Sequence, residues 1–452
     1  MLERQVHLQL SRALHSCALL APADHIRLKM IRTIHTAKYV LAEPGILLRN
    51  AAVHVSDPGR ITRIEPWHGP PPNLETKVID WGSAIILPGL INAHTHLELT
   101  DMRKPAQRPA AFTAWLSMLL QEKQGWSRDQ YLDSTRRGAQ LALASGTTLL
   151  GDISASGASW EALKQVKLRK VVFEEITAFQ PDRAGERESM LVQRLAQVAT
   201  DGLLTSGVSP HAIYSVSPEL LRRVADLARR RGLRLAVHIA ETLPELEFLQ
   251  TGRGEFRDFL VSLGALPAAW QPPACAPVPF LERLGILEKP GIMVHCNYLD
   301  SDSMARVLNR GWSVVFCPRS HAYFGHAPHP VRQLLDMGIN VALGTDSLVS
   351  GESLNILEEM RFLYQNRKDL KCDEILRMAT LNGAVALDFG GVLGRLRRGY
   401  WADMTVLRLP ENVVDRHVEA QILEGAGECL ATIVQGEIVW TKAPGMGQSE
   451  AA

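Results

Sequence analysis

The sequence predicts a (β/α)8 barrel, an α/β fold, that carries a small β-sandwich assembled from both ends of the chain. Three observations predict it. Apolar strands alternate with amphipathic helices about eight times across 88–396. The flanking stretches 31–87 and 397–445 are instead rich in short strands and turn residues. Histidines and an aspartate recur at the C-terminal ends of the middle strands, where barrels of this kind gather their chemistry. A doubly wound open sheet is the alternative, but no Gly-x-Gly-x-x-Gly follows a first strand to support it.

The terminal unit is read from short runs. Residues 32–41, 46–55, 60–64 and 78–80 are strand-like, with Asp57-Pro58-Gly59 as a turn. Their partners lie at the far end, in 402–407, 429–434 and 437–440, with Gly436 as a turn. The barrel strands are expected at 90–96, 147–152, 170–176, 205–211, 234–240, 292–296, 312–317 and 340–346. Between them run helices such as Leu220 to Arg231, closed by Gly232, and Ser301 to Arg310, closed by Gly311.

Length and composition bound the rest. A chain of 452 residues has room for one large domain and a smaller one, and 46% hydrophobic residues supply a substantial core. A net charge of +1 gives no electrostatic footprint for nucleic acid or a membrane surface. Six cysteines are scattered without a Cys-x-x-Cys pair, which fits a reducing compartment; a cytoplasmic enzyme is expected. No apolar run approaches the ~20 residues of a membrane span. The apolar segment Ala13 to Ala21 is short and polar-interrupted, so 1–30 are expected to be a poorly ordered extension rather than a signal peptide.

The chemistry starts at Pro88-Gly89-Leu90-Ile91-Asn92-Ala93-His94-Thr95-His96. On an extended chain residues i and i+2 face the same side, so His94 and His96 face one point, as two ligands of one metal must. The other strand ends add His211 on the fourth strand, His238 on the fifth, His295 on the sixth and Asp346 on the eighth. Their joint convergence on one mouth, in a chain of 15 histidines, points to a metal site.

Here the sequence resembles the amidohydrolase superfamily, in its deaminase and chlorohydrolase branch. The matching segments are PGLINAHTHLELT, GTTLLGDIS, SPHAIYSVSPEL, VHIAET, VHCNYLD, VVFCPRS, LGTDS and GVLGRLRRGYWADMTVL. The resemblance implies His94, His96, His238 and Asp346 as metal ligands, Glu241 and His295 as acid/base residues, and His211 beside the substrate. It implies one divalent ion, zinc first, with iron or manganese as alternatives. The fourth strand ends without the lysine that commonly bridges two ions in other members, which also argues for one metal; Glu174 or Glu175 would overturn this by pointing inward as a bridge, but a structural or substrate-facing role is expected of both.

Physical reasoning runs the same way. Neutral imidazoles with one carboxylate suit such an ion and leave a position for water. Glu241, three residues past His238, is placed to shuttle a proton from that water to a ring nitrogen. His295 would orient the attacking oxygen. Asp346 would pass a proton to departing ammonia, with Ser347 as a brace. Cys296 and Cys317 are read as packing residues.

The resemblance implies hydrolytic loss of an amino group or halide from an aromatic N-heterocycle. His96-Leu97-Glu98 is similar to aminodeoxyfutalosine deaminases of menaquinone synthesis, which makes 6-amino-6-deoxyfutalosine the first expectation. Glu98 is expected on a ribose hydroxyl or amino group, and Arg319, Arg183 and Arg187 are candidates for a substrate carboxylate. Phe112 and Trp115 are placed to stack on a purine or to pack their own helix. His321 and His326 are the two further histidines placed to approach substrate. Alternatives are a chlorohydrolase, or a guanine-, cytosine- or S-adenosylhomocysteine-type deaminase, on the same scaffold; a non-catalytic member is the remote one. Partners are expected to be a small-molecule substrate and a second copy in a homodimer.

Overall fold

The computed structural model describes residues 31–70, 76–105, 107–198, 200–410, 417–425 and 427–442. The expected extension at 1–30 therefore lies outside the described residues. Eight strands run β6 (Leu90–Thr95), β7 (Thr147–Ser154), β8 (Arg169–Ile176), β9 (Leu204–Pro210), β10 (Arg234–Ile239), β11 (Ile292–His295), β12 (Ser313–Phe316) and β13 (Val341–Leu343). Each pairs in parallel with the next in sequence order. The last returns to the first: Thr345 and Asp346 donate their backbone N–H groups to the His94 carbonyl, at 3.1 and 3.2 Å. Gly344 permits this approach, since a Cβ there would sit 2.8 Å from that same carbonyl oxygen.

The barrel strands are almost wholly buried on both faces, which explains their continuous apolar runs. The helices have the expected stops. Pro218–Arg231 opens on the Ser217 cap and ends at Gly232, and Ser301–Arg310 opens on Asp300 and ends at Gly311; both glycines are left-handed. Among the described residues no helix is long and apolar enough to cross a membrane.

Both chain ends meet in one mixed sheet. It comprises β1 (Ile31–Glu43), β2 (Ile46–Ser56), β3 (Arg60–Pro66), β4 (Lys77–Asp80), β5 (Ala84–Pro88), β14 (Met404–Arg408), β15 (Glu428–Val434) and β16 (Glu437–Thr441). Its order is β16-β15-β14-β5-β1-β2-β3, with β4 also on β1. The two layers expected of a sandwich are thus continuous in hydrogen bonding. The sheet closes on itself: Arg60 bridges to Trp401, and a Cβ on Gly436 would meet Val55 at 2.6 Å. Inside it, Val40, Val53, Val55, Ile86, Met404, Val406 and Ile433 form a separate core. Arg169, at the base of β8, joins the two units through Asp403 (Nε to Oδ2, 2.6 Å).

Candidate active site

The mouth is built by strand ends that turn sharply. Ala240, His295, Cys296 and Asp346 all have positive φ, between 50 and 70°, although none is glycine. Such conformations cost of order 1–3 kcal/mol each, and cluster where a side chain must be aimed. Here they follow β10, β11 and β13 and turn the chain into the mouth.

Hydrogen bonds behind the mouth hold these turns. Asn92 on β6 donates to Thr345 Oγ1 (2.8 Å) and accepts from Thr345 N–H (3.2 Å), pinning the first strand to the last. Asp152 accepts from Leu97 N–H (2.8 Å) and so fixes the chain just past His96. Glu245 accepts from Ala240 N–H (2.9 Å) and Glu241 N–H (2.8 Å). Asn297 donates to the Glu241 carbonyl (3.0 Å).

On this frame His94, His96, His238, His295 and Asp346 converge. His94 and His96 bring Nε2 to 3.6 and 3.5 Å from Asp346 Oδ1. The ring of His94 lies 4.8 Å from that of His96 and 4.9 Å from that of His238. One ligating atom from each of these three imidazoles falls within 4.8 Å of the others, and the same holds for His94, His295 and Asp346. His238 turns Nδ1 to the His211 carbonyl (2.9 Å), which leaves Nε2 for the centre. His94 Nε2 is buried with no hydrogen-bond partner among the described residues.

The electrostatics match a cation site. Burial holds His96 and His238 well below the ordinary imidazole value, and brings His295 down to about 3. Burial works the other way on Asp346, but the imidazoles of His94, His96 and His295 beside it outweigh that and keep the carboxyl well below its usual range. Imidazoles around one carboxylate, with an orphaned nitrogen among them, are the donor set a divalent ion takes.

Beside this cluster stands Glu241, its Oε1 3.5 Å from His295 Nε2. Burial, with the charges of Asp346 and Glu245, drives its carboxyl well above the ordinary value. Asp346 Oδ2 accepts from Ser320 Oγ (2.7 Å) and Ser350 Oγ (2.6 Å).

An inner chamber of about 60 Å³ sits over the cluster, walled by Phe112, Trp115, Leu116, Tyr214 and Glu175. It shares Glu175, His211, Tyr214, Lys123, Leu116 and Leu119 with an outer chamber of about 500 Å³, lined further by Phe179, Phe259, Leu260, Leu263 and Arg187. Burial lifts the Glu175 carboxyl to about 7.

A model of the amidohydrolase family matches residues 85–439. The chain belongs to the amidohydrolase family. It is therefore a metal-dependent hydrolase of carbon–nitrogen bonds. A 5-methylthioadenosine/S-adenosylhomocysteine deaminase of Moorella thermoacetica is 30% identical to this amidohydrolase over 423 residues, covering 88% of this chain and 91% of the relative. A zinc-bound adenosine deaminase from Xanthomonas campestris superimposes with a TM-score of 0.74 at 25% identity, over 90% of this chain and 92% of the other. Helicobacter pylori aminofutalosine deaminase, in complex with methylthio-coformycin, shares the fold with a TM-score of 0.78 at 24% identity, over 90% of this chain and 100% of the other.

Two expected substrate residues of this amidohydrolase lie elsewhere. Glu98 is buried and spends its carboxylate on Ala155 N–H (3.2 Å), Ser156 N–H (3.0 Å) and Ser156 Oγ (2.6 Å). It ties the first barrel loop to the end of β7. Arg319 turns its guanidinium onto Glu358 (2.7 Å), Ser353 (2.7 Å) and Glu352 (2.6 Å), away from both chambers. The carboxylates of 352–359 are closer partners than anything in the mouth. The brace on Asp346 also differs: Ser347 bonds to Ser350 (3.2 Å), and Ser320 and Ser350 hold the carboxylate.

His211 does reach the chambers, with Nδ1 2.7 Å from Ser215 Oγ, and burial brings it to about 3. His321 instead faces the Ala327 carbonyl (2.9 Å), and His326 faces the Tyr298 hydroxyl (3.2 Å). Cys296 and Cys317 are buried, with thiols pushed well up by burial, as packing residues are. Glu174 is engaged by Trp160 (2.8 Å) and Arg194 (2.5 Å), whereas Glu175 faces the chambers. Among the supports, Glu245 had a visible signal. Thr242-Leu243-Pro244-Glu245 has the Thr-x-x-Glu spacing of a capping box, although its carboxylate reaches residues 240 and 241 rather than the cap.

Proposed function

We propose that this amidohydrolase deaminates a 6-aminopurine nucleoside that carries a bulky 5′ substituent, with His94, His96, His238 and Asp346 holding one divalent ion, zinc first. The observation that carries the reading is the pairing of Glu241 and His295 over the imidazole–carboxylate cluster, at the foot of a chamber large enough for a nucleoside. When bound, the metal supplies the positive charge that lets a water lose its proton near neutral pH.

The chain's own residues do the rest. Glu241 takes the water proton and delivers it to the ring nitrogen beside the amine-bearing carbon; its raised proton affinity suits both halves of that transfer. His295, kept neutral by burial, donates a hydrogen bond to the oxygen that adds to that carbon. Asp346 takes the remaining proton from the added hydroxyl and passes it to the amine; the carbon–oxygen bond becomes a carbonyl, the carbon–nitrogen bond breaks, and ammonia leaves. Phe112 and Trp115, 5.6 Å apart, flank the heterocycle and exclude water.

Within that class we infer 6-amino-6-deoxyfutalosine as the substrate. The outer chamber supports it: its wall is apolar and aromatic, and Arg187 lines it with a sulfur contact to Met190 (3.8 Å) and no ion pair among the described residues. Such a chamber suits an extension ending in an aromatic carboxylate. The relatedness to a 5-methylthioadenosine/S-adenosylhomocysteine deaminase favours a second reading, S-adenosylhomocysteine, whose carboxylate would meet the same arginine.

The deciding assay is ammonia release by metal-analysed protein. It is offered aminodeoxyfutalosine, S-adenosylhomocysteine, 5-methylthioadenosine, adenosine, guanine and cytosine. A preference for aminodeoxyfutalosine is expected. Preference for S-adenosylhomocysteine keeps the chemistry and replaces the substrate. Preference for a free base, or no ammonia from any of them, overturns the nucleoside reading.

A further inference from the structure

Among the described residues, Glu175 is the one chamber carboxylate that the proposed mechanism leaves without a task. It ends β8, lines both chambers, and is 9% exposed. Its Oε1 is buried and has no hydrogen-bond partner among the described residues. A buried carboxylate oxygen left unpaired is costly, so the fold keeps it for a partner that arrives.

The neighbours do not supply that partner. A ligating atom of Glu175 lies within 4.8 Å of one on His211 and one on His238. His211 Nδ1 is committed to Ser215, and His238 Nδ1 to a backbone carbonyl. A second cation is a poor candidate. His238 Nε2 is already required with His94 and His96, and Glu175 with His211 would offer only two ligands where a divalent ion takes about four.

The chemistry of the substrate class narrows the partner further. An ionised carboxylate only accepts hydrogen bonds. The ring nitrogens of a 6-aminopurine nucleoside are all acceptors, and its amino group sits where the reaction occurs. The donors left on the nucleoside itself are the sugar hydroxyls. Glu175 stands at the junction between the inner chamber, which takes the ring, and the outer one, which takes the 5′ substituent; the sugar must lie there. Lys123 lines the same two chambers, and its charge works against the burial that lifts this carboxyl to about 7.

Resting on the nucleoside reading above, we propose that Glu175 sets specificity for a ribonucleoside, its carboxylate accepting hydrogen bonds from the 2′- and 3′-hydroxyls. A site built to bond a hydroxyl discriminates strongly against the analogue without it, because its own polar group is then left unpaired.

The experiment compares kcat/KM for the preferred ribonucleoside and its 2′-deoxy and 3′-deoxy forms, in wild type, Glu175→Gln and Glu175→Asp. Wild type is expected to reject at least one deoxy form by about 100-fold or more. In Glu175→Gln that ratio falls to within about threefold, because the ribonucleoside slows while the deoxy form does not, as a pairwise coupling requires. Glu175→Asp, which keeps the acceptor but retracts it, lies between. Metal content equal to wild type establishes that the variants fold and load. Ammonia release with an unchanged ratio, or a wild type indifferent to both deoxy forms, overturns this inference and leaves the deaminase reading standing. Loss of a second metal equivalent in Glu175→Gln also overturns it, in favour of a cation site. No release from any nucleoside by wild type takes down both.

Discussion

The barrel mouth buries His94, His238 and His295 and leaves His96 partly exposed, with neighbouring ring centres 4.8–5.8 Å apart, around one carboxylate. The terminal sheet buries His35 and His54 just as deeply, each with its own neighbour. His35 accepts from Trp81 Nε1 (3.3 Å) and lies parallel to that indole; His54 Nε2 sits 3.1 Å from Glu65. Burial therefore does not distinguish a site from a core. The difference is convergence: in the mouth, side chains from strands far apart in sequence aim at one point and leave a nitrogen unpartnered there. In the sheet, each histidine faces its own neighbour instead, although His35 Nε2 and His54 Nδ1 also lack a hydrogen-bond partner among the described residues.

The largest effect expected from this contrast is at Asp346. Asp346→Ala should reduce metal content and turnover together, since it removes the carboxylate that faces His94 and His96. Metal analysis of the purified variant checks it; a full equivalent of bound metal would remove Asp346 from the ligand set. Glu241→Gln should separate the two properties. The amide keeps the shape and loses the proton, so metal stays bound while kcat falls by about 10²–10⁴. Activity near wild type would take the proton transfer away from Glu241.

The sheet histidine has an effect on stability instead. Burial, with the charge of Lys77, lowers His35 to about 4 from its ordinary 6.5. In the folded chain it thus stays neutral at a pH where the unfolded chain protonates it. Its stabilising contribution is complete above pH 6.5 and is lost as pH falls to about 4, a total of about 3 kcal/mol. His35→Asn keeps an acceptor for Trp81 and removes the titration. Urea unfolding of both metal-free proteins should show the wild type losing about 3 kcal/mol more between pH 7 and pH 4. Equal acid sensitivity would mean that His35 is not held neutral by the sheet.

The same contrast explains what could be read from the sequence. Barrel strands were readable because both their faces are buried, so their apolar runs are continuous. The converging residues were readable because barrel architecture sends every strand's C-terminal end to one mouth. The partners of Glu98 and Arg319 were not readable because each residue sits in a short helix just past a barrel strand, where side-chain direction depends on which partner is nearest. Ser156 captured the first, and Glu352 with Glu358 captured the second. Asn92 and Thr345 stand 253 positions apart, and only the closed barrel makes them partners.

The brace on Asp346 is the finest point of difference between the two regions. A loop turn after β13 brings Ser350 back over Asp346, four residues earlier, while Ser320 arrives from the helix Pro318–Phe324. Both hydroxyls donate to Oδ2, which leaves Oδ1 facing His94 and His96. Hydrogen bonds of this kind orient a ligand and typically carry roughly 10–100-fold in metal affinity. With two donors on one oxygen, Ser350→Ala should sit near the low end, about 10-fold, because Ser320 still holds the carboxylate. Removing both should approach about 100-fold. Competition with a chelator of known affinity measures each variant. A double variant no weaker than either single one would show that the two serines act only as packing, and that the carboxylate is aimed by the β13 turn alone.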